Sequence, residues 1–176
     1  MNYFEFYELP VSFNVDQQQV KRKFYELSKK YHPDFFVNDT EENQAKVLDL
    51  ATVNNKAYQM LSDPGKRIKY ILELEGMLEE GEKYQLPQAF LMEMMEVNEA
   101  LMELEFDEGV AVSGDILEQV DSIESELQHE LDSFTRQFDQ ADETQRIECL
   151  KEIKDIWFRQ KYLLRIRDSL NRFASR

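Results

Sequence analysis

An all-α chain of two modules is predicted by three features of this 176-residue sequence. Glycine and proline are scarce, at 5 and 4 residues, and Leu, Glu, Gln, Lys and Met are plentiful, a balance that favours long helices over sheet. Apolar residues recur at spacings of three and four along successive stretches, the mark of amphipathic helices. The net charge of −15 is unevenly shared: residues 1–76 hold 10 Lys/Arg against 12 Asp/Glu, and residues 77–176 hold 11 against 24. The expected organisation is a module over 1–76 built on an antiparallel helix pair with flanking helices, a linker over 77–87, and an antiparallel three-helix bundle over 88–176, in an L-shaped arrangement. With 42% apolar residues and 12% aromatics, both modules can form real cores.

Taken in order, Tyr3, Phe4, Phe6, Tyr7 and Leu9 predict a short helix stopped by Pro10. Asn14 with Gln17 reads as a capping box, after which Val20, Phe24, Leu27 and Tyr31 line one face of a helix to about residue 31. Pro33 ends it. Asp39 with Glu42 predicts the next start, and Val47, Leu50, Val53, Ala57, Met60 and Leu61 line a second long helix. Asp63-Pro64 supplies a cap and a first-turn proline for a helix reaching about Leu74. The stretch EGMLEEGEKYQLP, with two glycines, a proline and four acids, reads as a linker. Beyond it Phe90, Met94, Val97, Leu101 and Leu104 predict one bundle helix. Ile116, Val120, Ile123, Leu127, Leu131, Phe134 and Phe138 predict the second. Asp142 with Gln145 caps the third, whose face carries Leu150, Ile153, Trp157, Leu164 and Leu170.

Several functions are excluded early. So acidic a chain is a poor binder of nucleic acid or anionic membranes. The first ten residues carry two acids, and no base occurs before residue 21, unlike a signal or transit peptide, and no apolar run is long enough to span a bilayer. The single cysteine, Cys149, cannot form an internal disulfide and fits a reducing cytosol; it reads as a small buried hydrophobe, with a redox or cluster-contact role left open. No structural metal site or cofactor loop is expected. His129 reads as a solvated helix residue.

The chemistry concentrates at KYHPDFF, residues 30–36. A catalytic His32 needs a nucleophile, an orienting group and an enclosed pocket, and an imidazole with one carboxylate supplies too few ligands for a metal. An enzyme using His32 and Asp34 stands as one rival reading. The setting favours a docking surface: the preceding helix carries Lys21, Arg22, Lys23, Lys29 and Lys30, so residues 16–31 are net +3 inside an acidic chain, and a basic strip leading to a rigid corner suits an acidic partner.

YHPD after a basic amphipathic helix, followed by NKAYQMLSDPGKRIKY, resembles the J domain of DnaJ-type co-chaperones. Asn55, Ala57, Tyr58, Leu61, Asp63, Pro64, Arg67 and Tyr70 match that family's later signature, and YFEFYELP is similar to its first helix. The resemblance implies that His32, Pro33 and Asp34 contact a DnaK-class chaperone and stimulate ATP hydrolysis there, with Lys21, Arg22, Lys23, Lys29 and Lys30 on the same docking face. Tyr25 and Glu26 stand where many general J domains are basic, which points to a specialised chaperone.

AFLMEMMEVNEALMELE, residues 89–105, holds more apolar residues than one core stripe needs. Leu91, Met95 and Met102 fall on the flank of the core sector, where they either widen the core or stay free. Met92 falls opposite it, with Glu96, Glu99 and Glu103. Methionine and leucine grading into carboxylates describe an adaptable protein-binding face, and Phe158 on the last helix points away from the predicted core. A J domain, an acidic linker and such a bundle together resemble the HscB-type co-chaperones of iron–sulfur cluster assembly. That resemblance implies that Leu91, Met92, Met95, Glu96, Glu99, Glu103 and Phe158 bind the scaffold protein IscU, that the specialised chaperone is HscA, and that the setting is a bacterial cytoplasm. The remaining rival is a J protein of a general DnaK chaperone with a different client.

Overall fold

The computed structural model describes residues 1–175, which divide into two compact units, one over Met1–Gly76 and one from Met77 to the end of the described residues. The fold is all-helical, with no strand among the described residues.

The first unit comprises α1 (Tyr3–Phe6), α2 (Gln17–Lys30), a 3-10 turn (Pro33–Phe36), α3 (Glu41–Ser62) and α4 (Pro64–Leu74). Helices α2 and α3 are antiparallel, since Phe24 stacks on Tyr58 at 4.3 Å while Ser28, one turn further along α2, bonds Asn54, one turn back along α3. Buried Val20, Leu27, Val47, Ala57 and Leu61 form the seam, closed by Phe4 and Tyr7 from α1 and by Ile68, Ile71 and Leu72 from α4.

Two buried polar groups join what the apolar seam only brings near. The amide of Asn54 donates to the Phe24 carbonyl (3.1 Å) and the Ser28 hydroxyl (3.0 Å) on α2, and accepts from the Tyr7 hydroxyl (2.8 Å). Arg67 donates to the carbonyls of Phe13 (2.9 Å) and Leu61, satisfying an acceptor in the last turn of α3 that the helix leaves open. Burial pushes the Tyr7 phenol up and the Arg67 guanidinium down from their ordinary values.

The second unit comprises α5 (Gln88–Glu93), α6 (Met95–Phe106), α7 (Gly114–Gln140) and α8 (Glu143–Ala174). Helices α7 and α8 form an antiparallel hairpin ruled by three arginines: Arg167 meets Asp121 and Glu124 (2.9 Å), Arg159 meets Glu130 (3.3 Å), and Arg146 lies over the Phe138 ring at 5.0 Å. Helix α6 joins through Asn98, which donates to the Tyr162 hydroxyl at 2.8 Å, and α5 through Phe90, edge-on to the Tyr162 ring.

Several starts differ from the sequence expectation by one or two residues. Asp16, not Asn14, caps α2, accepting from Gln18 and Gln19. Thr40, not Asp39, caps α3, while Asp39 takes the Thr40 amide and the Asn43 side chain. Runs of Asx and Thr offer several competing caps, and the helix takes the one whose oxygen reaches N2 or N3. The Asp63 and Asp142 caps form as expected.

Two differences are larger. The predicted single helix over 88–105 is broken at buried Met94, where the backbone turns (φ −82°, ψ −7°) with no Gly or Pro to signal it. On α8 the buried face is Leu150, Ile153, Ile156, Leu163, Ile166 and Leu170, while Leu164 is 60% exposed and Trp157 half-buried. Adjacent apolar pairs at 156–158 and 163–164 made the phase ambiguous, and packing chose the branched aliphatics. Likewise Thr135 takes the buried place on α7 expected for Phe134.

Candidate functional site

Tyr31 closes α2 by donating its amide to the Leu27 carbonyl, and the chain turns out of the helix at once. His32 then caps the 3-10 turn in extended geometry (φ −72°, ψ 125°), with Pro33 in the first helical position. The Asp34 amide donates to His32 Nδ1 at 3.3 Å, and an Asp34 carboxylate oxygen lies 3.7 Å from the same nitrogen. The Phe35 ring meets the imidazole edge-on at 5.8 Å. The His32 and Asp34 side chains are 53% and 84% exposed, so the corner is rigid in its backbone yet open to a partner. Pro33 fixes one dihedral and restricts its neighbour, leaving little entropy to lose on docking.

Beside it, Pro33, Asp34, Phe36, Val37, Gln44 and Leu48 line an open groove of about 390 Å³. Among the described residues no three His, Cys, Asp or Glu side chains are placed to hold a metal ion.

The predicted basic strip divides in two. Lys21, Arg22, Lys29 and Lys30 are exposed and have no carboxylate within ion-pair distance among the described residues; Lys30 lies over the Tyr31 ring at 5.2 Å. Lys23 is less accessible and is ion-paired to Glu8, with Glu26 at 4.0 Å. Glu8 itself sits in the left-handed region (φ 55°) where the chain leaves α1, so Lys23 tethers that turn to α2.

On the second unit, Leu91, Met92 and Met95 are 40%, 64% and 56% exposed, and Glu96, Glu99 and Glu103 are exposed with them. Met102 is also exposed, so neither it nor Leu91 widens the core. Phe158 behaves differently. It is half-buried, its ring stacked on Tyr84 at 4.5 Å and edge-on to Trp157 at 4.8 Å. Its neighbour Arg159 lies over the Phe90 ring at 6.0 Å, which brings this part of α8 beside α5.

The cover over Phe158 comes from the stretch expected to be a linker. Tyr84 donates to Asp155 at 2.7 Å, and Glu82 pairs with Lys154 at 2.7 Å, fastening residues 82–84 along α8. Burial, and then the hydrogen bond to Asp155, push the Tyr84 phenol up to about 12. Sequence reasoning missed this strap because its glycines and acids resemble a solvated tether; the one signal was an aromatic inside it.

Comparison with known proteins accords with this geometry. Residues 3–70 match the family model described as the DnaJ domain, and residues 86–171 match the one described as the HSCB C-terminal oligomerisation domain. The chain belongs to the HscB family of J-domain co-chaperones. A co-chaperone protein HscB homolog of Vibrio cholerae serotype O1 is 39% identical over 102 residues, 57% of this chain and 60% of that relative. The HscB homolog of Shewanella baltica is 28% identical over 173 residues, 98% of this chain and 96% of its own length. Among solved structures, this HscB-family chain is similar to chaperone HscB from Vibrio cholerae (TM-score 0.62, 25% identity, covering 98% of this chain and 99% of that one). It is also similar to human co-chaperone HscB (TM-score 0.66, 28% identity, covering 97% and 81%). The HscB family is one of co-chaperones rather than enzymes. No helix among the described residues is long and apolar enough to cross a membrane.

Proposed function

We propose that this protein is a bacterial cytoplasmic co-chaperone that brings an IscU-type iron–sulfur scaffold to an HscA-type chaperone and stimulates that chaperone's ATPase. Residues 1–76 act as the J domain, residues 88–176 hold the scaffold, and 77–87 join the two. His32, Pro33 and Asp34 engage the ATPase, with Lys21, Arg22, Lys29 and Lys30 steering the approach. Lys23 contributes chiefly by fixing the turn after α1. Leu91, Met92, Met95, Glu96, Glu99, Glu103 and Phe158 form the scaffold face. No bond is made or broken in this chain; binding energy at the corner favours the hydrolysis-competent state of the partner. Tethering the scaffold beside the chaperone raises its effective concentration there.

The single observation that carries this reading is the His32 corner: a solvent-open imidazole and carboxylate at the end of a helix bearing four exposed cations that form no ion pair among the described residues. The test is chaperone ATPase turnover with this protein and the scaffold, together and separately. Stimulation by both together is expected to exceed the sum of the separate effects and to vanish with His32→Gln. Unchanged turnover with His32→Gln refutes the assignment of the corner. Stimulation of a general DnaK without any scaffold effect assigns the chain to a different client.

A further inference from the structure

The exposed apolar surface of α6 does not stop at the residues assigned above. Taking Met95 as zero and about 100° per residue, Met102 falls near −20° and Phe106 near +20°, with Glu99, Glu103 and Glu96 between about 40° and 100°. Buried Val97, Leu101 and Leu104 lie on the opposite side of the helix. Met95, Met102 and Phe106 therefore make one outward rail roughly 16 Å long, with a carboxylate row alongside it. Met102 is 57% exposed and Phe106 85%. Among the described residues, Glu96, Glu99 and Glu103 take part in no ion pair or side-chain hydrogen bond. Large apolar side chains in a row are uncommon on a free surface and mark a docking face.

We propose that Met102 and Phe106 extend the scaffold-docking face along the whole of α6, so that the scaffold closes on an apolar rail running from Leu91 to Phe106 while its basic side chains meet Glu99 and Glu103. This rests on the scaffold-binding reading above. Continuity with Leu91, Met92 and Met95 names the occupant, and charge supports it. A second copy of this chain would set one carboxylate row against another, in a unit with 11 Lys/Arg against 24 Asp/Glu. A partner with an apolar surface edged by Lys and Arg neutralises the row instead.

The experiment is calorimetric titration of cluster-free IscU-type scaffold into the wild-type chain, Leu91→Ala/Met92→Ala and Met102→Ala/Phe106→Ala, with sedimentation equilibrium on each. All four side chains are exposed, so the variants keep the fold. Met102→Ala/Phe106→Ala is expected to weaken scaffold binding about tenfold or more. Wild-type affinity in that variant, with Leu91→Ala/Met92→Ala still weakened, overturns the extension and leaves the scaffold reading intact. Absence of binding by the wild-type chain overturns both. Loss of self-association in Met102→Ala/Phe106→Ala at unchanged scaffold affinity overturns the extension and gives the rail to a second copy.

Discussion

Replacing Asn54 by alanine isolates the polar fastening of α2 to α3. The amide makes three side-chain hydrogen bonds from a site 1% exposed: to the Phe24 carbonyl, the Ser28 hydroxyl and the Tyr7 hydroxyl. Each such bond contributes about 1 kcal/mol net. Alanine removes all three, but the Tyr7 hydroxyl keeps the Asn54 backbone carbonyl as an acceptor at 3.2 Å and is not stranded. The Phe24 carbonyl lies within α2 and the Ser28 hydroxyl is only part-buried, so those losses fall at the low end. The expected destabilisation of the first unit is about 2 kcal/mol, against a total domain stability of roughly 5–15. Urea unfolding followed by far-UV circular dichroism measures it, and fluorescence of Trp157, the single tryptophan, reports separately on the second unit. Tyr7→Phe, which deletes one of the three bonds, should cost about 1 kcal/mol. A loss below about 1 kcal/mol for Asn54→Ala refutes the idea that this amide, more than the apolar seam, fastens α2 to α3.

Two further outcomes follow from buried groups of the second unit. The Tyr84 phenol, held protonated by burial and by donation to Asp155, should titrate near pH 12 in ultraviolet difference spectra. Because its folded value lies above the unfolded 10.0, its stabilising contribution is complete below pH 10 and is lost as the pH rises towards 12; Tyr84→Phe should abolish both effects. Cys149 is 6% exposed and burial pushes its thiol up. It should therefore react slowly with an aromatic disulfide reagent at neutral pH and accelerate on unfolding. A fast native reaction refutes its placement in the core.

Helix content and order were legible because the apolar repeats of α2, α3, α6 and α7 each point one way, and Asp63-Pro64 and Asp142 with Gln145 are unambiguous starts. The J-type corner was legible too, since His-Pro-Asp is local in sequence and its stiffness is a property of proline. What escaped were features decided by distant partners. Asn54 shows no periodic signal for burial; its role exists only because Tyr7, Phe24 and Ser28 converge on it. The break at Met94 has no Gly or Pro to announce it in the sequence. On α8, Ile156, Trp157 and Phe158 offered three phases, and the strap of residues 82–84 settled the matter by covering Phe158. An acidic segment read as a tether became a packed element for the same reason.

The charge asymmetry acquires a physical meaning once the unpaired groups are located. An exposed ion pair within a chain contributes about 0–1 kcal/mol, so leaving a surface charge without an internal partner costs the fold little. Lys21, Arg22 and Lys29 on the first unit and Glu96, Glu99 and Glu103 on the second are left so among the described residues. Elsewhere the chain does pair its charges: Lys23 with Glu8, Lys154 with Glu82, and Arg159 and Arg167 across α7 and α8. These pairs fix a turn, a strap and a helix register. Under the function proposed above, the open cations of the first unit and the open carboxylates of the second steer two partners of opposite sign to separate surfaces.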